Sequence, residues 1–200
     1  SRQIDQFHKK ALKRTKPPFG GFSVGLMTIC NFNIYPIRPM SSKIYISNLY
    51  VICHNIRSRH NVGSIFRTAD GAGVSKIFLC GITPVPPHSN IEKVSLGAEK
   101  FVEWEKCKET WRVIDELKKE GVEIISLEQA KNSISLKDFK TSRKNIALIL
   151  GEEVKGLPKS ILDRSDKIIQ IPMHGKKESL NVATAFGIAV YKLREMSDTK

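Results

Sequence analysis

The sequence predicts an α/β fold, a mostly parallel β-sheet flanked by helices. Three observations carry that expectation. Short apolar runs alternate with stretches of helical spacing from residue 43 onward. The first run, the helix after it and the second run read as one βαβ unit, which makes the two strands parallel with a right-handed crossover. And Asn145-Ile146-Ala147-Leu148-Ile149-Leu150 is almost continuously apolar, the pattern of a strand buried on both faces.

In chain order, Leu49-Tyr50-Val51-Ile52-Cys53 is a short apolar strand. Asn61 to Gly71 has helical spacing, with Val62, Ile65, Phe66 and Ala69 on one face. Lys76-Ile77-Phe78-Leu79-Cys80 is the second strand. Trp111 to Glu120 reads as a helix turning Val113, Ile114 and Leu117 inward; Gly121 caps it, and the strand Val122-Glu123-Ile124-Ile125 follows. After the buried strand 145–150, Pro158 opens a short helix, because proline suits a first helical turn. Ile168-Ile169-Gln170-Ile171-Pro172 is a further strand. Leu180 to Arg194 closes the pattern as a long helix with Val182, Ala185, Phe186, Ala189, Val190 and Leu193 facing in.

Bulk properties narrow the function. The 200 residues, 40% hydrophobic, suffice for one domain with a proper core. No run of 18 apolar residues occurs, so no membrane span is expected, and no secretory leader is read at the N-terminus. Cys30, Cys53, Cys80 and Cys107 lie far apart, which argues against a zinc site; Cys53 and Cys80 end apolar runs and read as small buried hydrophobes, so no metal and a reducing, cytoplasmic setting are expected. The net charge of +13 points to a polyanionic partner such as nucleic acid. Residues 1–39 carry seven of the basic residues against one acid, Asp5, and an apolar stretch without period. They are expected to be a poorly ordered extension, either an RNA-binding arm or, as the reading preferred here, sequence upstream of a true start at Met40. Residues 40–200 form the domain.

Ligands of an open parallel sheet bind at the carboxyl ends of its strands, and three unusual loops fall there. The first, from His54 to Gly63 and on to Arg67, concentrates Arg57, Arg59 and His60 at a helix start, where phosphate is favoured. The second, Gly151 to Leu157, pairs two glycines with the acids Glu152 and Glu153. The third, Pro172 to Asn181, sets Ser179 and Asn181 at a helix N-terminus. Taken singly, each has a plainer explanation: helix capping for Ser179 and Asn181, a solvated turn for the glutamates, surface charge for His60 and Arg67.

Together they are more specific. The loops read N-x5-N-x-G-x3-R from Asn55 to Arg67, then L-G-E-E-x-x-G-L, then I-P-M-x-G-x3-S-L-N-V. In this order and spacing they resemble the three motifs of the SpoU (TrmH) family of RNA ribose 2′-O-methyltransferases, over residues 43–195; the third motif is the most specific. Glu152 departs from the small residue usual before the second-motif glutamate. The resemblance implies the SPOUT class, with a C-terminal trefoil knot, a homodimer, and S-adenosylmethionine as methyl donor, leaving S-adenosylhomocysteine as product. It places Asn61, Arg67, Glu153, Ser179 and Asn181 at catalytic or RNA-facing positions, and Leu150, Gly151, Ile171, Met173, Ser179 and Leu180 at methyl-donor positions. Arg57, Arg59, His60 and Arg67 are the expected RNA contacts. It also implies Arg67 as the base, but a guanidinium with pKa above about 12 is a poor one. A phosphate clamp that stabilises a developing alkoxide suits it better.

Two other functions compete: a SPOUT methyltransferase acting on a base nitrogen, and an RNA-binding family member without catalysis. The intact motif residues count against the second. With no added RNA-binding domain besides residues 1–39, a tRNA target is slightly favoured over rRNA.

Overall fold

The computed structural model describes residues 46–196. The basic segment 1–39, Cys30 and the start expected at Met40 lie outside the described residues.

Among the described residues, seven strands form one sheet: β1 (Asn48–His54), β2 (Lys76–Cys80), β3 (Glu103–Cys107), β4 (Glu123–Leu127), β5 (Ile134–Ser135), β6 (Asn145–Leu150) and β7 (Lys167–Gln170). Their order is β3-β2-β1-β6-β4-β7-β5, and every pairing is parallel. The two strands made last are thus both inserted between older ones, β6 between β1 and β4, β7 between β4 and β5.

The β6 sequence explains its central place. Ile146, Leu148 and Leu150 face one core and Ala147 and Ile149 the other, and all five are buried. The first core is closed by α1 (Arg59–Gly71), α2 (Ser89–Ser95) and α5 (Val182–Met196); the second by α3 (Thr110–Lys119) and α4 (Lys159–Leu162). Both α1 and α3 stop at left-handed glycines. Gly73 and Gly121, at φ of 63° and 77°, let Val74 and Val122 donate back to Ala69 and Leu117, so the last turns keep their carbonyls satisfied. Arg194, on α5, reaches the carbonyls of Ala72, Gly73 and Ile46, locking the last helix to the end of α1.

Strands β2 and β6 have the ends read from the sequence, the other element ends shift by at most two residues, and three differences bear on the site. Helix α1 begins at Arg59 because Ser58 caps it, its Oγ accepting the Asn61 N–H at 3.2 Å. Pro158 is the N-cap of α4, with extended ψ of 153°, and the helix starts one residue later. Leu180 and Asn181 precede α5 rather than open it. Among the described residues, no helix is long and apolar enough to cross a membrane.

Candidate active site

At the carboxyl edge of the sheet, register sets Cys53 of β1 level with Leu150 of β6, Leu150 with Leu127 of β4, and Leu127 with Ile169 of β7. The chain therefore leaves β1, β6 and β7 along one edge, with β4 between the last two, and the three loops meet.

The meeting is a directional chain of hydrogen bonds. Glu153 accepts from the Arg57 and Ser58 N–H groups, both at 3.2 Å, and from Asn61 Nδ2 at 2.9 Å. The Asn61 Oδ1 then accepts from Asn181 Nδ2 at 3.0 Å, and the Asn181 Oδ1 accepts the Ala183 and Thr184 N–H groups in the first turn of α5. An ionised carboxylate can only accept and a helix N-terminus can only donate, so both amides have one permitted orientation. Burial pushes the Glu153 carboxyl up, but the hydrogen bonds from Asn61, Arg57 and Ser58 outweigh it and hold the group below its ordinary range. Asn181 is thus both a helix cap and the bridge between loops one and three.

Beside this chain lies a cavity of about 460 Å3, within the roughly 300–1,000 Å3 usual for small-molecule sites. Leu150, Gly151, Ile171, Met173, Ser179 and Leu180 all line it, as do Glu153 and Asn181. Gly151 has no room for a side chain: a Cβ there would meet the Gly156 carbonyl carbon at 2.7 Å and the Leu157 nitrogen at 2.9 Å. The loop 151–157 folds back on itself, with a bridge from Glu152 to Gly156. Its walls carry Glu128, Glu152 and Glu153 against one cation, Lys155, a balance that suits a positively charged ligand.

Glu128 and Gln129 were not foreseen. Glu128 accepts from the Leu157 N–H at 2.7 Å and the Gln129 N–H at 3.0 Å, tying loop two to the end of β4. The strand 122–125 was read two residues short, so its successors were not placed at the ligand edge; the rule that ligands sit at strand ends would have found them. Thr83 was also missed. It is buried, accepts the Ile56 N–H at 3.0 Å and donates to the Cys53 carbonyl, fixing the start of loop one. The motif glycine Gly63 serves packing: a Cβ there would come within 2.6 Å of the Ile91 carbonyl of α2.

The remaining expected residues stand apart from the cavity. Arg57, Arg59 and His60 are exposed where loop one enters α1, and Arg67 is exposed two turns along that helix. None of the four lines the cavity, and Arg67 makes no hydrogen bond or ion pair among the described residues.

The sequence matches the SpoU rRNA Methylase family over residues 48–191. The chain belongs to this family. It is 29% identical to a tRNA (guanosine(18)-2′-O)-methyltransferase of Aquifex aeolicus, over 76% of this chain and 72% of that one. It is 32% identical to a 23S rRNA (guanosine-2′-O-)-methyltransferase of Coxiella burnetii, over 75% of this chain and 59% of that protein. An AdoMet-bound rRNA methyltransferase from Sinorhizobium meliloti superposes with a TM-score of 0.70 at 29% identity, covering 74% of this chain and 56% of that one. Apart from the Aquifex protein, these SpoU-family relatives are matched over less than two thirds of their length.

Proposed function

We propose that this SpoU-family protein transfers a methyl group from S-adenosylmethionine to a ribose 2′-hydroxyl of RNA, tRNA rather than rRNA being slightly favoured. The observation that carries the reading is the Glu153–Asn61–Asn181 chain, which joins an arginine-rich loop to a cavity walled by three carboxylates. The named activities of the relatives support it.

When bound, S-adenosylmethionine supplies a methyl already activated on a sulfonium. The cavity fits such a group: its three carboxylates favour a cation, and Gly151 lets the loop that carries two of them fold tightly against Gly156 and Leu157. Leu150, Gly151, Ile171, Met173, Ser179 and Leu180 would hold it. Asn61, Ser179 and Asn181 are neutral groups suited to fixing the ribose, and such positioning can supply roughly 7–11 kcal/mol. Arg67 would clamp the neighbouring phosphate and stabilise the oxygen as it loses its proton to a phosphate or water, with Arg57, Arg59 and His60 contacting the strand. Digesting reacted RNA to nucleosides tests the reading: ribose-methylated nucleosides are expected, and base-methylated products or none would sink it. S-Adenosylhomocysteine is expected to raise the melting temperature without RNA present, by mass action on the folded state. Calorimetry without binding at millimolar ligand would contradict this.

The proposal includes the trefoil knot and a homodimer. On α5 the core takes Phe186, Ala189, Val190 and Leu193, yet Ile188 and Tyr191 stay 45% and 51% exposed on the opposite side. Light scattering at micromolar concentration should report twice the 22.5 kDa chain mass, and Ile188→Asp should return it to the monomer value. A wild-type monomer would refute the dimer. A cytoplasmic setting, expected from the cysteine usage, completes the proposal.

A further inference from the structure

The carboxyl edge of the sheet continues past loop one. Register sets His54, Cys80 and Cys107 level on β1, β2 and β3. Immediately beyond Cys107 the chain passes Lys108 and enters α3 through Thr110, Trp111 and Arg112. Trp111 is 41% exposed and belongs to neither hydrophobic core, although α3 buries Val113, Ile114 and Leu117 on its inner face. The Arg112 guanidinium lies over the indole, 5.2 Å from the ring centre. Lys106 is held by the Gly81 and Thr83 carbonyls at 2.6 and 2.7 Å, neutral acceptors that leave its charge uncompensated. From Lys106 to Arg112 there are three cations and one acid, Glu109.

This patch is joined rigidly to loop one. Asn55, in the left-handed region at φ 56°, accepts the Ile82 N–H at 3.1 Å and turns its amide nitrogen to His54 Nε2 at 3.1 Å. His54 Nδ1 therefore carries the ring proton and donates to Thr110 Oγ1 at 2.7 Å, the residue beside Trp111. Two strands, β2 and β1, lie between β3 and β6, three spacings of about 4.8 Å or about 14 Å in all, so the end of β3 that leads to Trp111 lies on the far side of β1 from the cavity.

We infer that Trp111, with Arg112, Lys106 and Lys108, is a stacking platform for an unpaired base of the RNA strand, outside the nucleotide whose ribose reaches the cavity. The inference rests on the reading that this chain acts on RNA. An aromatic face among cations is what an exposed nucleotide requires, since every base has a π-face and each phosphate a charge. Like Arg57 and Arg59 after β1, the patch is basic and follows the carboxyl end of a strand, β3. Trp111 orients and holds the strand; it is not a catalytic residue.

The test uses the full chain and a fluorescein-labelled single-stranded RNA of mixed sequence. The chain has two tryptophans, Trp104 and Trp111, so a base stacking on Trp111 should quench intrinsic fluorescence, and Trp111→Phe should lose most of that quench. Trp111→Ala should weaken RNA binding roughly tenfold and raise the KM for RNA to match, with kcat, S-adenosylhomocysteine affinity and melting temperature unchanged. Its salt dependence should stay that of wild type, because indole is neutral, whereas Lys108→Ala should flatten the slope by about 0.7 unit, the value for one phosphate of a single strand. Wild type that methylates RNA while Trp111→Ala binds it equally well, or a quench that persists in Trp111→Phe, overturns the platform alone. Wild type that binds RNA with Trp111 quenched yet transfers no methyl overturns the enzymatic reading and leaves the platform standing.

Discussion

Arg67→Ala is expected to cut methyl transfer about a hundred- to a thousandfold, the usual cost of removing one group that stabilises a developing oxyanion. The affinity for S-adenosylhomocysteine should stay within about twofold. The contrast follows from placement. Arg67 is exposed on α1, lines no part of the cavity, and supports no other side chain among the described residues. Fold and methyl-donor site therefore do not depend on it, and the melting temperature should not move. Arg67→Lys should restore activity only in part, because an ammonium cannot make the paired contacts of a guanidinium with phosphate. Single-turnover rates beside calorimetry check all of this. A variant keeping most of its activity would remove Arg67 from the mechanism, and equal loss of methyl-donor binding would move it into that site.

Glu153→Gln should be nearly as damaging to transfer, about a hundredfold. Three donors converge on the carboxylate, the Arg57 and Ser58 N–H groups and the Asn61 amide. A glutamine turns an NH2 against one of them, and the fixed polarity that runs on through Asn181 to α5 is lost. Because loop two also lines the cavity, S-adenosylhomocysteine affinity should fall severalfold. Since Glu153 is exposed, the stability cost is only about 1 kcal/mol, the low end for hydrogen bonds to a charged group. The sign of the pH effect is set by the lowered carboxyl. Its contribution to stability is complete above the unfolded value near about 4.3 and is lost as pH falls through the lower folded value. Wild type should therefore show no break from this group between about pH 5 and 8, and its acid-side loss of stability should be blunted in Glu153→Gln. Denaturant titrations across pH would decide; a wild-type transition near neutrality would rule out the assigned environment.

The loops that matter were legible because motif order and spacing survive without a structure, and the strands around them because burial on both faces leaves a continuous apolar run, as in β6. What escaped had little such signal. Strand β3 reads Glu103-Trp104-Glu105-Lys106-Cys107, polar because it is an edge strand whose glutamates pair with Lys76 of β2 at 3.0 Å. Strand β5 has two residues, and α2 has seven before Leu96 turns left-handed at φ 52°. The Asn61–Asn181 bond joins residues 120 apart in sequence. No local pattern encodes a contact at that range, so capping was a sound local account of Asn181 and an incomplete one.

The late insertion of β6 and β7 also constrains how the chain is made. Asn48 and Asn145 share a hydrogen bond across 97 residues, so β1 and β4 acquire their common neighbour only once the segment from Asn145 has been synthesised. Until then the nascent protein holds two unsatisfied strand edges where its sheet should be continuous, the kind of surface that invites aggregation. Pairings this distant in sequence close slowly. Closure of the sheet is accordingly expected only once β6 and β7 have left the ribosome, and pulse-labelled nascent chains ending before Asn145 should be protease-sensitive throughout.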